Sequence, residues 1–240
     1  MKHASFLALI SLALTGCSVL PQGSGDRSDY RSAHPNRSSG PVSSGPAAPR
    51  MAAAVVPMNA NAVLCLSQLG SAGARFDALP DQYLDQGCST LNTVQMHALQ
   101  GDGGPLNVSN LGPVTCPVST AFAAWARYGV DRAARQIFGT GLASIQTMGS
   151  YSCRNVAGTS RRSGHASAAA IDIGGFVLED GRRISVQAGW NGDEREREFL
   201  RTVQRSACRR FGTVLGPDYN AAHRDHFHVE GVIEGNSYCR

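Results

Sequence analysis

Periodic apolar positions divide this chain into a silent front part and a patterned remainder. Residues 62–69 place apolar side chains at helical spacing and predict a short helix. Residues 75–88 hold Phe76, Leu79, Tyr83 and Leu84 around Pro80 and predict strand and loop. The run Gly101-Asp-Gly-Gly-Pro105 predicts a turn. The clearest helix covers residues 117–138, with Val118, Phe122, Trp125, Val130, Ala134 and Ile137 in its stripe. Pro117 suits its first turn, Gly139 its stop, and Gly129 is a point of division. Residues 143–153 read as a strand, and 171–178 with 183–186 as a hairpin around Glu179-Asp180-Gly181. Gly174-Gly175 marks a bulge in that hairpin. A second helix is predicted over 193–211, acidic at its start and ending on Arg205, Arg209 and Arg210, as the helix dipole favours. Its stripe is Phe199, Leu200, Val203 and Phe211. Residues 213–215 and 226–233 complete the strands. The pattern predicts an α+β domain, an antiparallel sheet with helices packed on one face.

The front part reads differently. Met1-Lys2-His3 is a short basic start, and residues 6–14 are mostly apolar. That run is too short to span a bilayer and has the form of an export signal. Leu14-Thr15-Gly16-Cys17 resembles a bacterial lipobox, which implies cleavage after residue 16 and a lipid on Cys17. Ser18 follows, where an Asp would imply retention at the inner membrane. Residues 18–58 are rich in Ser, Gly, Pro, Ala and Arg, with Pro21, Pro35, Pro41, Pro46 and Pro49. Such a stretch buries too little surface to offset ordering entropy, so it is expected to be a disordered tether. The expected organisation is therefore a signal over 1–17, a tether over 18–58 and one domain over 59–240. The expected location is the periplasmic face of the cell envelope, lipid-anchored, at the outer membrane.

Seven cysteines occur, and removing Cys17 leaves Cys65, Cys88, Cys116, Cys153, Cys208 and Cys239. In an oxidising compartment an even six implies three disulfides among fifteen possible connectivities. Cys208 with Cys239 is the favoured pair, because the two flank the second of the chemical segments below. The absence of a Cys-x-x-Cys pair argues against a thiolate zinc site. Net charge is +4 with a pI near 8.8, and no basic stripe is interleaved with aromatics. Nucleic-acid binding is accordingly not expected. A polyanionic cell wall is the more natural neighbour.

Two segments concentrate imidazoles and carboxylates. One is Ser163-Gly-His165-Ala-Ser-Ala-Ala-Ala-Ile-Asp172; the other is His223-Arg-Asp225-His226-Phe-His228. Neutral imidazole and carboxylate are the usual protein ligands of catalytic zinc, with a fourth position left open. Asp172 lies between Ile171 and Ile173, where a lone carboxylate would be costly to desolvate unless paired or metal-bound. His226 and His228 alternate along a strand and so share a face. Asp225 reaches that face only if the strand starts after it or bulges. Ser163 has no nucleophile-elbow context and is expected to cap or buttress its loop. Trp190 is expected on a loop.

The two segments resemble the metal motifs of the D-Ala-D-Ala metallopeptidase, lysostaphin-like and hedgehog group. In that group's Ser-x-His-x-x-Gly-x-Ala-x-Asp pattern, Ser163, His165, Ala170 and Asp172 match, and His226 and His228 match its His-x-His. More closely, residues 65–228 resemble a bacterial family labelled extensin-like C-terminal domain. The shared features are Tyr151-Ser-Cys-Arg154-Asn, the His165 to Asp172 segment, and the run from Leu215-Gly-Pro to His228. The resemblance implies a hedgehog and D-Ala-D-Ala peptidase-like zinc domain, with Zn2+ held by His165, Asp172 and His228. It further implies Asp225 as general base, with His223 or His226 as the second choice, and Arg154 as the group that binds a substrate carboxylate or polarises the scissile carbonyl. The implied activity is hydrolysis of an amide in peptidoglycan peptides, as an endopeptidase or a carboxypeptidase. Ala168 stands where the group has glycine; if that position needs positive φ, alanine costs about 1 kcal/mol. The competing expectations are a catalytically silent, metal-stabilised module that binds peptidoglycan, and a lipoprotein that organises the envelope.

Overall fold

A computed structural model of the protein describes residues 59–240. The expected export signal, Cys17 and the expected tether lie outside the described residues. Asn59 caps α1 (Ala60–Ser71) by accepting the Ala62 N–H through its side chain at 2.8 Å. The chain then forms β1 (Arg75–Ala78), β2 (Gln82–Asp85), β3 (Cys88–Thr90), β4 (Thr93–Gln100), β5 (Pro105–Ser109) and β6 (Val114–Thr115). Next come α2 (Cys116–Trp125), a π-helical stretch (Ala126–Asp131) and α3 (Arg132–Phe138), closed by Gly139 in the left-handed conformation at φ 76°. The second half holds β7 (Leu142–Gly149), β8 (Ala170–Leu178), β9 (Arg183–Ser185), the single turn α4 (Val186–Gly189), α5 (Glu194–Ala207), β10 (Phe211–Leu215), β11 (Phe227–Val232) and β12 (Tyr238–Cys239).

Ten strands form one sheet, in the order β1-β4-β5-β7-β8-β11-β10-β12, with β6 beside β4 and β9 beside β8; β2 and β3 pair separately. The expectation of a purely antiparallel sheet is corrected here. β5 runs parallel to β7, and β12 parallel to β10. A parallel neighbour needs a long crossover, and the chain between β5 and β7 supplies one in α2 and α3. Strands β3 to β6, β12 and the turn α4 have no counterpart among the elements predicted above. The predicted second helix also ends early, because buried Phe211 pairs with Val232 as the first residue of β10. Asp193 caps α5 as its acidic start predicted, accepting from Arg195 N and Glu196 N.

One apolar cluster joins the helices to the face of the sheet that carries Ile171, Ile173, Phe227 and Val229. Trp125 sits at its centre, 6.1 Å from Phe176 and 6.4 Å from Phe211 between ring centroids. Its indole N–H donates to Val203 O at 2.9 Å, which ties the long helical run to α5. Gly129 falls in the π-helical stretch, so the predicted point of division is a local widening and not a break. A Cβ there would collide with Ser206 Oγ and come within 2.9 Å of Trp125 Cδ1. The close approach of α5 explains the glycine. The bulge at the glycine pair is also present: the β7–β8 register shifts between the Gln146↔Gly175 and Thr147↔Ile173 pairs.

Disulfides join Cys65 to Cys116, Cys88 to Cys153 and Cys208 to Cys239, so the favoured pair is found along with two others. Among the described residues no helix is long and apolar enough to cross a membrane. Gly129→Val should overpack the α5 contact and lower unfolding stability by about 1–3 kcal/mol, read by urea denaturation.

Candidate metal centre

The site grows out of one strand pairing. β8 and β11 are antiparallel, with Asp172 directly opposite His228. Ile171, Ile173, Phe227 and Val229 point to the apolar cluster, so alternation sends Asp172, His228 and Glu230 to the other face. His165 arrives from a separate 3-10 turn, Gly164–Ser167, which Ser163 caps by accepting the His165 N–H. This is the buttressing role expected of Ser163. The turn ends on Ala168 at φ 54°, so the position where the resemblance has glycine does need the left-handed region. Ala168 is held there by donating to His165 O and accepting from Thr115 N.

His165, Asp172 and His228 offer ligand atoms that all lie within 4.8 Å of one another. His165 Nε2 is 3.1 Å from His228 Nδ1 and 3.2 Å from Asp172 Oδ2; His228 Nδ1 is 2.9 Å from Asp172 Oδ1. Ligands about 2.0–2.1 Å from a tetrahedral ion stand about 3.3 Å apart, so the spacing fits a single zinc-sized cation.

The hydrogen bonds set which nitrogen faces inward. His165 Nδ1 lies 2.7 Å from the Ser150 carbonyl, which can only accept. Nδ1 therefore carries the proton and Nε2 presents a lone pair to the cluster. His228 donates from Nε2 to Glu230 Oε2 at 3.0 Å, leaving Nδ1 facing Asp172 and His165. His226 donates from Nδ1 to Asp225 Oδ1 at 2.8 Å, and its Nε2 lies 3.6 Å from Asp172 Oδ1. His223 donates from Nδ1 to Asn220 Oδ1 at 2.8 Å; that oxygen is identified because it also accepts the Ala222 N–H.

Asp225 precedes the first residue of β11, which meets the condition set for it by strand alternation. Its carboxylate is spent on His226, and His226 is the ring that faces the ligand cluster. His223 packs 5.2 Å from the His226 ring and 5.9 Å from the His228 ring, with exposed Tyr219 5.4 Å away on its outer side. Arg154 is exposed on the loop before the turn, and its charge is among those that depress His223. Its backbone oxygen accepts from Ser163 N, so the two loops run side by side. Cys153, next to it, is tied to buried Cys88 of β3. Trp190 stands, as expected, on the turn between α4 and α5, where it is buried: its ring packs 5.7 Å from Phe227 and its N–H donates to Asp218. Two contributors were not anticipated. Ser150 acts through its backbone carbonyl and leaves no side-chain signal. Glu230 was findable, because it lies two residues beyond His228 on the same strand.

The electrostatics follow from this crowding. Burial raises the Asp172 carboxyl, but the adjoining His165 and His228 rings, which donate to it when they carry a second proton in the cation-free site, outweigh burial and hold the group well below the usual range. Burial lowers His228, yet the Asp172 and Glu230 carboxylates carry it up to about 9. His223 is pushed down to about 4, first by burial and then by the neighbouring His226 and His228. The hydrogen bond from His228 keeps Glu230 below its ordinary value.

The chain belongs to the family described as extensin-like protein C-terminus, whose model matches residues 63–240. No curated protein and no solved structure matches it.

A charged His228 stabilises the cation-free protein. Its folded value of about 9 exceeds the ordinary 6.5, so that stabilisation is complete below pH 6.5 and is lost as pH rises through 9. Chelator-treated protein should weaken across that window, and His228→Gln should lack the loss; urea unfolding on both sides of the window checks it.

Proposed function

We propose that this protein is a zinc-dependent peptidase that hydrolyses an amide bond in peptidoglycan peptides. The observation that carries the reading is the inward convergence of His165 Nε2, His228 Nδ1 and the Asp172 carboxylate, each ring held with its proton pointing outward. Two imidazoles and a carboxylate form the donor set of a catalytic zinc site, in which a position stays open for water or substrate. The ligand types alone tolerate other divalent ions; zinc is the choice that the resemblance to the D-Ala-D-Ala metallopeptidase, lysostaphin-like and hedgehog group supports. A bound zinc ion would supply a Lewis acid at the scissile carbonyl and make water acidic near neutral pH.

The chain's own residues divide the remaining work. His226 is the group best placed to take the proton of the attacking water and return it to the leaving amine. Its Nε2 is the unprotonated nitrogen and lies near Asp172, while Asp225 holds the ring through Nδ1 and stabilises the imidazolium that forms. This reverses the order expected above: Asp225 becomes the orienting residue and His226 the base. His223, kept neutral by burial, is an adjacent acceptor. Arg154, exposed beside these rings, would bind a substrate carboxylate or the charge that develops on the carbonyl oxygen.

The substrate class follows from the resemblance together with the front of the chain. An export signal and a lipid on Cys17 would hold the domain at the periplasmic face of the outer membrane, within reach of the wall. The tether over residues 18–58 would supply that reach.

Purified sacculi incubated with zinc-loaded protein should release new muropeptides, identified by mass. His226→Ala should slow release by about 10²–10⁴-fold, the usual worth of a general base. Asp225→Ala should slow it less, because the ring remains. Fragments at equal rates from wild type and His226→Ala would remove His226 from the mechanism. No fragments from the zinc-loaded wild type would overturn the peptidase reading in favour of a silent binding module.

A further inference from the structure

We propose that Glu230 is a positioning residue that fixes His228 with Nδ1 toward the metal, and that Gly164 is glycine to leave room for it. The inference rests on the reading of His165, Asp172 and His228 as a metal centre and adds two residues to it.

An imidazole can present either nitrogen to a metal, and the group bonded to the other nitrogen decides which. In most such sites a histidine ligates through the nitrogen far from its backbone. Here the ring of His228 is turned the other way, with Nδ1 beside Asp172 and His165 and Nε2 beyond them. That orientation needs an acceptor on the Nε2 side. Glu230 supplies one at 3.0 Å from the same strand. Strand alternation puts Glu230 on the site face, two residues from His228, and there the carboxylate is partly buried against the 3-10 turn that carries His165.

Gly164 opens that turn. Its conformation does not require glycine, since its φ lies outside the left-handed region. The space does. A Cβ on residue 164 would lie 2.7 Å from both Glu230 Cγ and Oε2, and would press on Cδ as well. An alanine there must drive the Glu230 carboxylate off His228 or push the His165 turn outward. The two motifs are therefore coupled through a contact between Gly164 and Glu230, neither of which is a ligand.

The test uses full-length protein and zinc alone, with affinity read by competition against a chromogenic chelator. Glu230→Ala should weaken zinc by about 10–100-fold, the usual worth of a partner that orients a ligating histidine. Glu230→Gln should stay within about threefold of wild type, because its carbonyl oxygen still accepts from Nε2–H. Gly164→Ala should weaken zinc to a similar extent as Glu230→Ala. Thermal melting of the chelated proteins confirms that each variant is folded; if Gly164→Ala is not, the Glu230 pair decides. Zinc affinity within threefold of wild type in Glu230→Ala would overturn the proposal, as would an equal loss in Glu230→Gln. Failure of the wild type to bind zinc would instead remove the metal centre itself.

Discussion

Acceptor atoms crowd together where β8 meets β11. Nε2 of His165, Nδ1 of His228 and the two Asp172 oxygens stand 2.9–3.2 Å apart, on the face of the sheet opposite the apolar cluster. Lone pairs at that spacing repel unless a proton or a cation lies among them. A proton is one answer: between the Asp172 and Glu230 carboxylates, and against burial, His228 is carried up to about 9. A divalent cation satisfies all the atoms at once. The pairing of Asp172 with His228 is the constraint beneath this arrangement. A slip of one residue in β11 would turn His228 and Glu230 into the core and expose Phe227 and Val229. Those two apolar residues, fully buried beneath the site, thus hold the register that the site needs.

How much of this was legible in the chain depends on where each interaction is encoded. Among the candidate ligands, Asp172 could be read from its place between two isoleucines, whereas His165 and His228 followed from the resemblance of their segments to known metal motifs. His226, expected to alternate with His228 along a strand, stands one residue before β11, so the turn ahead of the strand and not the strand period brings its ring to Asp172. β4 was also legible in principle: Val94, Met96 and Ala98 alternate with Gln95 and His97, and the inner three are buried. Its neighbour β5 was not, because a short strand starting at a proline carries almost no pattern. The parallel β5–β7 pair depends on a crossover through α2 and α3, and that is a property of topology and not of any segment. Likewise, Ser150 contributes a backbone oxygen, to which the identity of residue 150 is nearly indifferent.

The role of Asp225 illustrates a finer limit. The resemblance made Asp225, three residues before His228, the first choice for proton transfer. Geometry puts His226 between that carboxylate and the ligands. Sequence spacing locates a residue near a site, but which of two adjacent polar groups faces inward depends on the turn that precedes the strand. Here the turn at Ala221–His223 is capped by Asn220, and the same Asn220 oxygen anchors His223. The loop that carries Arg154 is restrained in a comparable way by the Cys88–Cys153 bridge and by its backbone bonds to Ser163 and His165.

Ala168 shows what the fold accepts in order to bring the parts together. A non-glycine residue in the left-handed region costs about 1 kcal/mol. Ala168 is nonetheless fully buried, and burying its methyl group returns about 0.8 kcal/mol. The two terms nearly cancel, so glycine at this position would relieve the backbone while leaving an unfilled space of one methyl. The residue also joins distant parts: its N–H closes the turn of His165, and its carbonyl accepts from Thr115 at the start of α2. The His165 turn is thereby fastened to the element that carries Trp125 and the apolar cluster. Alanine at this position is consequently compatible with the convergence of His165, Asp172 and His228.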